Sequence, residues 1–313
     1  MSAVVSLKVW VALVVAAMAA AMVVALLVDG SGKPAHAGAF PGKNGHIAFD
    51  SNRDGDSEIY SMNPNGSQQT NLSLSGSGDI SPSYSASGKK LAFVSSRDGN
   101  NEIYSMNANG TLQTRLTTDP NSDFFPSYSP DGTKIAFESM RPAPADGSID
   151  YEIYTMNANG TGVKELTTDP ADDRYAAWSP NGKKIAFVSF RKDGEQVWVM
   201  NADGSNQHQL TSLGQNSVPS WSPSGKKIVF ASSRDGNWEI YSMNSDGSNQ
   251  TNLTNNSAYD RNPCYSPDGK QIAFQSLRDG NSEIYTMPSS GGQQTNRTNN
   301  PAYDDRPSWQ PLH

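Results

Sequence analysis

Two charged residue types keep step along this chain. Arg53, Arg97, Arg141, Arg191, Arg234 and Arg278 each stand four residues after a phenylalanine, and Asp79, Asp123, Asp173, Asn216 and Asp260 stand eighteen residues ahead of the last five. Asp304, near the C terminus, completes the acidic set. A carboxylate and a guanidinium at one fixed offset read as a structural ion pair, because the planar arginine fork matches two carboxylate oxygens. Gathered at one place, the same carboxylates would attract a cation such as Ca²⁺ or a basic segment of a partner. A second oxygen-rich stretch, Asp50, Asn52 and Asp54 before Gly55, has the alternate spacing that opens a calcium loop, although Ser61 stands where the bidentate glutamate belongs.

Other chemistry is thin. The 313 residues hold one cysteine, Cys264, and four histidines, His36, His46, His208 and His313. That excludes an intrachain disulfide and a cysteine-rich zinc site. There is no Gly-x-Ser-x-Gly elbow, and the histidines offer no triad. The run from Ser233 to Trp238 is two residues too short for a sialidase-type Asp box. With 24 Lys and Arg against 31 Asp and Glu, the net charge of −7 makes nucleic acid an unexpected partner.

The elements that carry these residues repeat. A strand-like Ile-Ala-Phe or a variant ends at Phe49, Phe93, Phe137, Phe187, Phe230 and Phe274. A period in the forties built of short β segments is the mark of propeller blades. Each unit has an apolar segment, an Asp-Gly or related turn, the Phe strand, a Glu-Ile-Tyr strand, an Asn-Gly or Asp-Gly turn and a short last strand, here named a to d from the axis outward. The expected fold is all-β, a six-bladed β-propeller of four-stranded antiparallel blades. The first unit lacks strand a and the chain ends on an unpaired one, Arg306 to Pro311, so the C-terminal strand should complete the first blade and leave no open edge. Strand a is expected to begin at Pro82, Pro126, Ala176, Pro219, Pro263 and Pro307. With Ser129 facing Lys134, Asp123 falls opposite Met140 and diagonal to Arg141, and Asp304 meets Arg53 across the closure. Because strand a lines the axis, the carboxylates before it would form an acidic rim on the channel.

Ahead of the repeats runs an unbroken apolar segment from Val9 to Val28, then Ala35-His36-Ala37 before Gly38, the small-x-small form of a signal-peptidase site. Residues 1–37 are expected to be a signal peptide, or else an N-terminal membrane anchor, with the propeller over 38–313. Both place the ring outside the cytoplasm.

The recurring Ser-Pro-Asp-Gly, Ser-Arg-Asp-Gly-Asn and Glu-Ile-Tyr-Ser-Met-Asn phrases, with no Trp-Asp closing strand c, resemble the TolB-type propeller repeat over residues 43 to 311. The α/β domain that precedes the propeller in TolB has no counterpart in the forty or so residues before blade one. The resemblance implies a periplasmic or secreted, protein-binding ring. In such a meander the ab and cd turns share one face, and the bc and da loops share the other. The second face is the varied one: the bc loop of blade three, 141–152, is the longest, and Phe124, Phe125, Tyr175, Trp238, Tyr259 and Tyr303 fall in its loops, beside charged residues as at interface anchors. The expectation is therefore a monomeric scaffold of the cell envelope that engages an envelope or extracellular protein through this face and the channel mouth. It would meet a membrane only through the N-terminal segment and need no cofactor, Ca²⁺ being the one ion the carboxylates would admit. The competing expectation is a Ca²⁺-dependent, lactonase-like hydrolase with its site in the channel.

Overall fold

The computed structural model describes residues 40–142, 150–192 and 194–313. The expected leader and most of the long loop of blade three lie outside them. Among the described residues the strands form six four-stranded antiparallel sheets. In blade two they are Asp79–Tyr84, Lys90–Ser95, Glu102–Asn107 and Thr114–Arg115, for a to d. Strand b is the buried heart of the blade, with Leu91, Ala92, Phe93 and Val94 all at zero exposure. Its Phe93 ring packs 5.8 Å from that of Tyr104 on strand c. The apolar faces then close between neighbouring sheets: Ala92, Val94 and Ile103 of blade two share a cluster with Tyr128 and Phe137 of blade three.

The ring closes as the unpaired segment requires. Asp304–Leu312 lies beside Lys43–Ser51, pairing Ser308 with Ala48 and Trp309 with Ile47, and this C-terminal strand is strand a of blade one. The two faces also separate as expected. On one, ab and cd turns join through Ala108 N–H to Lys89 O, Ala202 N–H to Lys183 O and Ser245 N–H to Lys226 O. On the other, the residue before strand c accepts from the first residue of the next blade's strand a, as Asn101 O does from Asp123 N–H at 2.8 Å. Blades stand so close that a Cβ on Gly110, at φ +85°, would lie 2.4 Å from the Leu72 carbonyl of the preceding blade. Only glycine fits there.

Strand a departs from the expected register. It begins three residues earlier than the prolines, at Asp79, Asp123, Asp173, Asn216, Asp260 and Asp304. Ser127 pairs with Ala136 as the turn dictates, but Asp123 pairs with Ser139 instead of Met140, because one extra residue bulges between Phe124 and Ser127. The bulged residue holds a left-handed backbone in every blade: Ser81, Phe125, Tyr175, Val218, Asn262 and Arg306 have φ between 48° and 58°. Phe124, Phe125 and Tyr175 accordingly sit inside strands and not in loops.

Deleting residues 304–313 should remove strand a of blade one and leave Lys43–Ser51 as an open sheet edge. The expected outcome in thermal unfolding is loss of the cooperative transition, or a fall of more than about 10 °C; an unchanged midpoint would show that the ring does not depend on this closure.

Candidate functional site

Each recurring arginine grips its own blade. In blade two, Arg97 gives Nε to Ser95 at the end of strand b (2.7 Å), Nη1 to Gln113 leading into strand d (2.7 Å) and Nη2 to Asp79 at the start of strand a (2.9 Å). Its guanidinium lies 4.7 Å from the ring centre of Tyr104 on strand c. The strand-a bond recurs in all blades: Arg53 reaches Asp304 across the closure at 2.9 Å, Arg141 reaches Asp123 at 2.7 Å, Arg191 binds Asp173, Arg278 reaches Asp260 at 3.0 Å and Arg234 reaches the Asn216 amide oxygen at 2.9 Å. Burial pushes the Asp123 and Asp173 carboxyls up to about 6 against the pull of their arginines. Arg234, which faces an amide, is lowered by burial.

These carboxylates do not form a rim. Asp79, Asp123, Asp173, Asp260 and Asp304 have no exposed surface, because the bulge draws the start of strand a into the wall against arginine. The calcium-loop stretch is dispersed as well. Asp50 bonds Arg306 at 2.8 Å, Asn52 accepts from the Tyr303 N–H, and Asp54 accepts from Tyr60 and Asn71. Among the described residues no three His, Cys, Asp or Glu side chains converge. His46 and His208 lie in blades one and four, and His313 bonds the Ala86 carbonyl in blade two. Cys264 lines the axis beside the Pro307 carbonyl, and burial pushes its thiol up to about 12, which leaves it unreactive.

What does line the channel is the ring of bulge residues. They enclose, with the serines and prolines that follow them, a cavity of about 170 Å³. Phe40 stands in it at the ab end, only 6% exposed, and the bulge residues lie toward the bc and da loops. Around that end Phe125 meets Tyr175 edge-on at 4.6 Å, and three arginines lie on aromatic rings: Arg174 on Tyr151 at 3.9 Å, Arg261 on Trp238 at 4.0 Å and Arg306 on Phe125 at 5.8 Å. Each arginine also has a carboxylate, respectively Glu138 at 3.1 Å, Glu195 at 3.7 Å and Asp50 at 2.8 Å. Asp50 and Glu138 further accept the strained N–H of the next blade's bulge residue, Ser81 and Tyr175. Burial raises both carboxyls to about 7. Tyr259 and Tyr303 stand exposed at the same face. The Arg-on-aromatic pairs and the two bridging carboxylates escaped the repeat pattern because they occupy only some blades; the odd residues at otherwise uniform positions were the signal.

A family model described as the TolB beta propeller domain matches residues 78–149 and 177–312. The chain belongs to the TolB β-propeller family. This TolB-family ring also matches, over residues 129–220, the dipeptidyl peptidase IV N-terminal region. Among solved structures it is similar to TolB from Acinetobacter baumannii, with TM-score 0.72, 23% identity and coverage of 85% of this chain and 67% of that one. It is similar to a putative TolB from Agrobacterium tumefaciens at TM-score 0.63 and 21% identity, covering 86% and 92%. Kuenenia stuttgartiensis hydrazine synthase gives TM-score 0.70 and 18% identity over 88% of this chain but 47% of that one. At these identities the likeness is one of fold. None of the curated proteins matches the chain.

One buried ring was not foreseen: Glu58, Glu102, Glu152, Gln196, Glu239 and Glu283 open strand c in all six blades. Burial drives Glu152 up to about 9. Asp50, Glu138 and Glu152 thus bind their protons more tightly folded than unfolded, so the stability they add is full below their unfolded values and is lost as pH rises through about 7 to about 9. The melting temperature should fall between pH 6 and pH 9, and Glu152→Gln, which copies Gln196 of blade four, should flatten that fall. An equally steep profile in the variant would contradict this account.

Proposed function

We propose that this propeller is a non-catalytic scaffold that binds another protein through its bc/da face and channel mouth. The observation that carries the reading is the arginine–aromatic collar, in which Arg174, Arg261 and Arg306 lie over rings around one end of the channel. Arg, Trp and Tyr dominate the energetics of protein interfaces because they bury large area while keeping a polar edge. Here their rotamers are already set by the stacking and by the carboxylates, so little ordering is left for the bound state. TolB-family membership supports the same reading at the level of the scaffold. An extracytoplasmic location is supported by the Val9 to Val28 run and the Ala35-His36-Ala37 site.

A hydrolase is the second reading, favoured by the match to the dipeptidyl peptidase IV N-terminal region. For a calcium version, the buried carboxylates Asp50 and Glu138 would have to leave Arg306 and Arg174. Capture of envelope proteins on the immobilised chain, compared with Phe125→Ser and Trp238→Ser, separates the two. Each substitution should weaken capture at least about tenfold, in the range of interface hot spots, in variants that keep the wild-type β circular-dichroism spectrum. Undiminished capture removes the collar from the interface. Ester or lactone turnover that chelator abolishes would replace the scaffold reading with the hydrolase.

A further inference from the structure

Most lysines of this chain stand at turns where no arginine does. Eight of the thirteen directly follow an ab turn. Lys89, Lys134, Lys183, Lys226 and Lys270 mark five successive blades, all exposed, and blades two, four and five carry a second lysine alongside. Because the ab turns share one face with the cd turns, these cations form a ring on the side opposite the collar. Among the described residues every ion pair within 4 Å is made by arginine and none by lysine. Against these eight lysines the face carries four acids, Asp131, Asp203, Asp246 and Asp268, each of which turns one oxygen onto its own turn, as Asp131 Oδ1 does to Ser129 and Thr133. In a chain of net charge −7 this is a segregated positive face.

The chain also joins the ring at this face. Pro41 lies among Pro223, Pro267 and Asp268 of the ab turns of blades five and six, and Gly42 N–H donates to the Pro267 carbonyl at 3.2 Å. The apolar run Val9 to Val28 precedes that point in sequence.

We infer that the lysine-ringed ab/cd face lies against a bilayer surface carrying anionic phospholipid headgroups. Lysine suits that role: its ammonium is a hydrated point charge on a flexible stem, which meets mobile phosphates without a fixed geometry. A cluster of such charges adds electrostatic adsorption that falls off within a Debye length.

The test compares binding of the full chain to phosphatidylcholine vesicles with and without about a third phosphatidylglycerol, so that the apolar run contributes equally to both. The expected result is at least a tenfold preference for the anionic vesicles, lost at about 0.5 M NaCl. The preference should also vanish in a variant carrying Lys89→Gln, Lys183→Gln, Lys226→Gln and Lys270→Gln, whose binding to neutral vesicles is unchanged. No preference, a preference that survives in the variant, or binding to soluble dextran sulfate but not to the anionic vesicles would overturn the inference. Should the variant unfold, amine acetylation of the wild-type chain decides: Lys89 and Lys183 become protected on anionic vesicles, and equal reactivity with neutral ones refutes the assignment.

Discussion

A guanidinium has two donor edges and a flat face, and the whole ring rests on how the blades use them. In blades one and two the arginine after strand b bonds the Asp that starts strand a, the Ser that ends strand b and the Gln that leads into strand d, and lies over the aromatic residue of strand c. Blades five and six keep the Ser bond, blade four keeps the Gln bond, and in blades three and four Nε turns instead toward Asp119 and Asp169. Strand d is two residues long and could not hold its place by ladder bonds alone. Blade five shows which part of the contact matters. There Asn216 replaces Asp, the charge partner is gone, and the hydrogen bond to Arg234 persists at 2.9 Å. Geometry, more than ionic attraction, is what the blade requires, as expected where desolvation offsets most of the Coulomb gain.

Drawing the Asp into the wall has a second effect. The extra residue that makes room for it becomes the bulge, and the bulge is what faces the channel. Six residues other than glycine take a left-handed backbone to do so, the β-branched Val218 among them. Such strain survives only where the surroundings over-determine it. The backbone of this ring repeats while its side chains do not: Ser81, Phe125, Tyr175, Val218, Asn262 and Arg306 share one conformation and almost no chemistry. A symmetric frame thereby carries an asymmetric recognition surface, and the arginine–aromatic collar grows from that asymmetry.

Charge is sorted by residue type along the same axis. Arginine occupies the wall and the collar, where fixed partners and aromatic faces suit its rigid fork, and eight of the thirteen lysines follow the opposite turns, where water suits a mobile ammonium. The outcome is a ring with arginines held by fixed partners at the channel mouth and a solvated face on the other side where eight lysines outnumber four aspartates.

The fold was legible in the sequence because the repeat is a direct record of it. Phe spacing, Asp-Gly and Asn-Gly turns and the unpaired last strand dictate six blades and the closure of the first by the C terminus, since turn chemistry and strand alternation act locally. Arg-to-Asp pairing was legible too, at a constant offset of eighteen residues. Register was not. A bulge adds one residue without a sequence mark, since Ser, Phe, Tyr, Val, Asn and Arg all occupy it, and only packing between strands a and b and the buried arginine reveals the shift. With that one residue the acidic rim became a buried wall, Phe125 and Tyr175 moved from loops to the channel, and Asp50 turned from a metal candidate into the partner of Arg306, 256 positions away. Contacts of that range are decided by closing the ring, which no local pattern encodes.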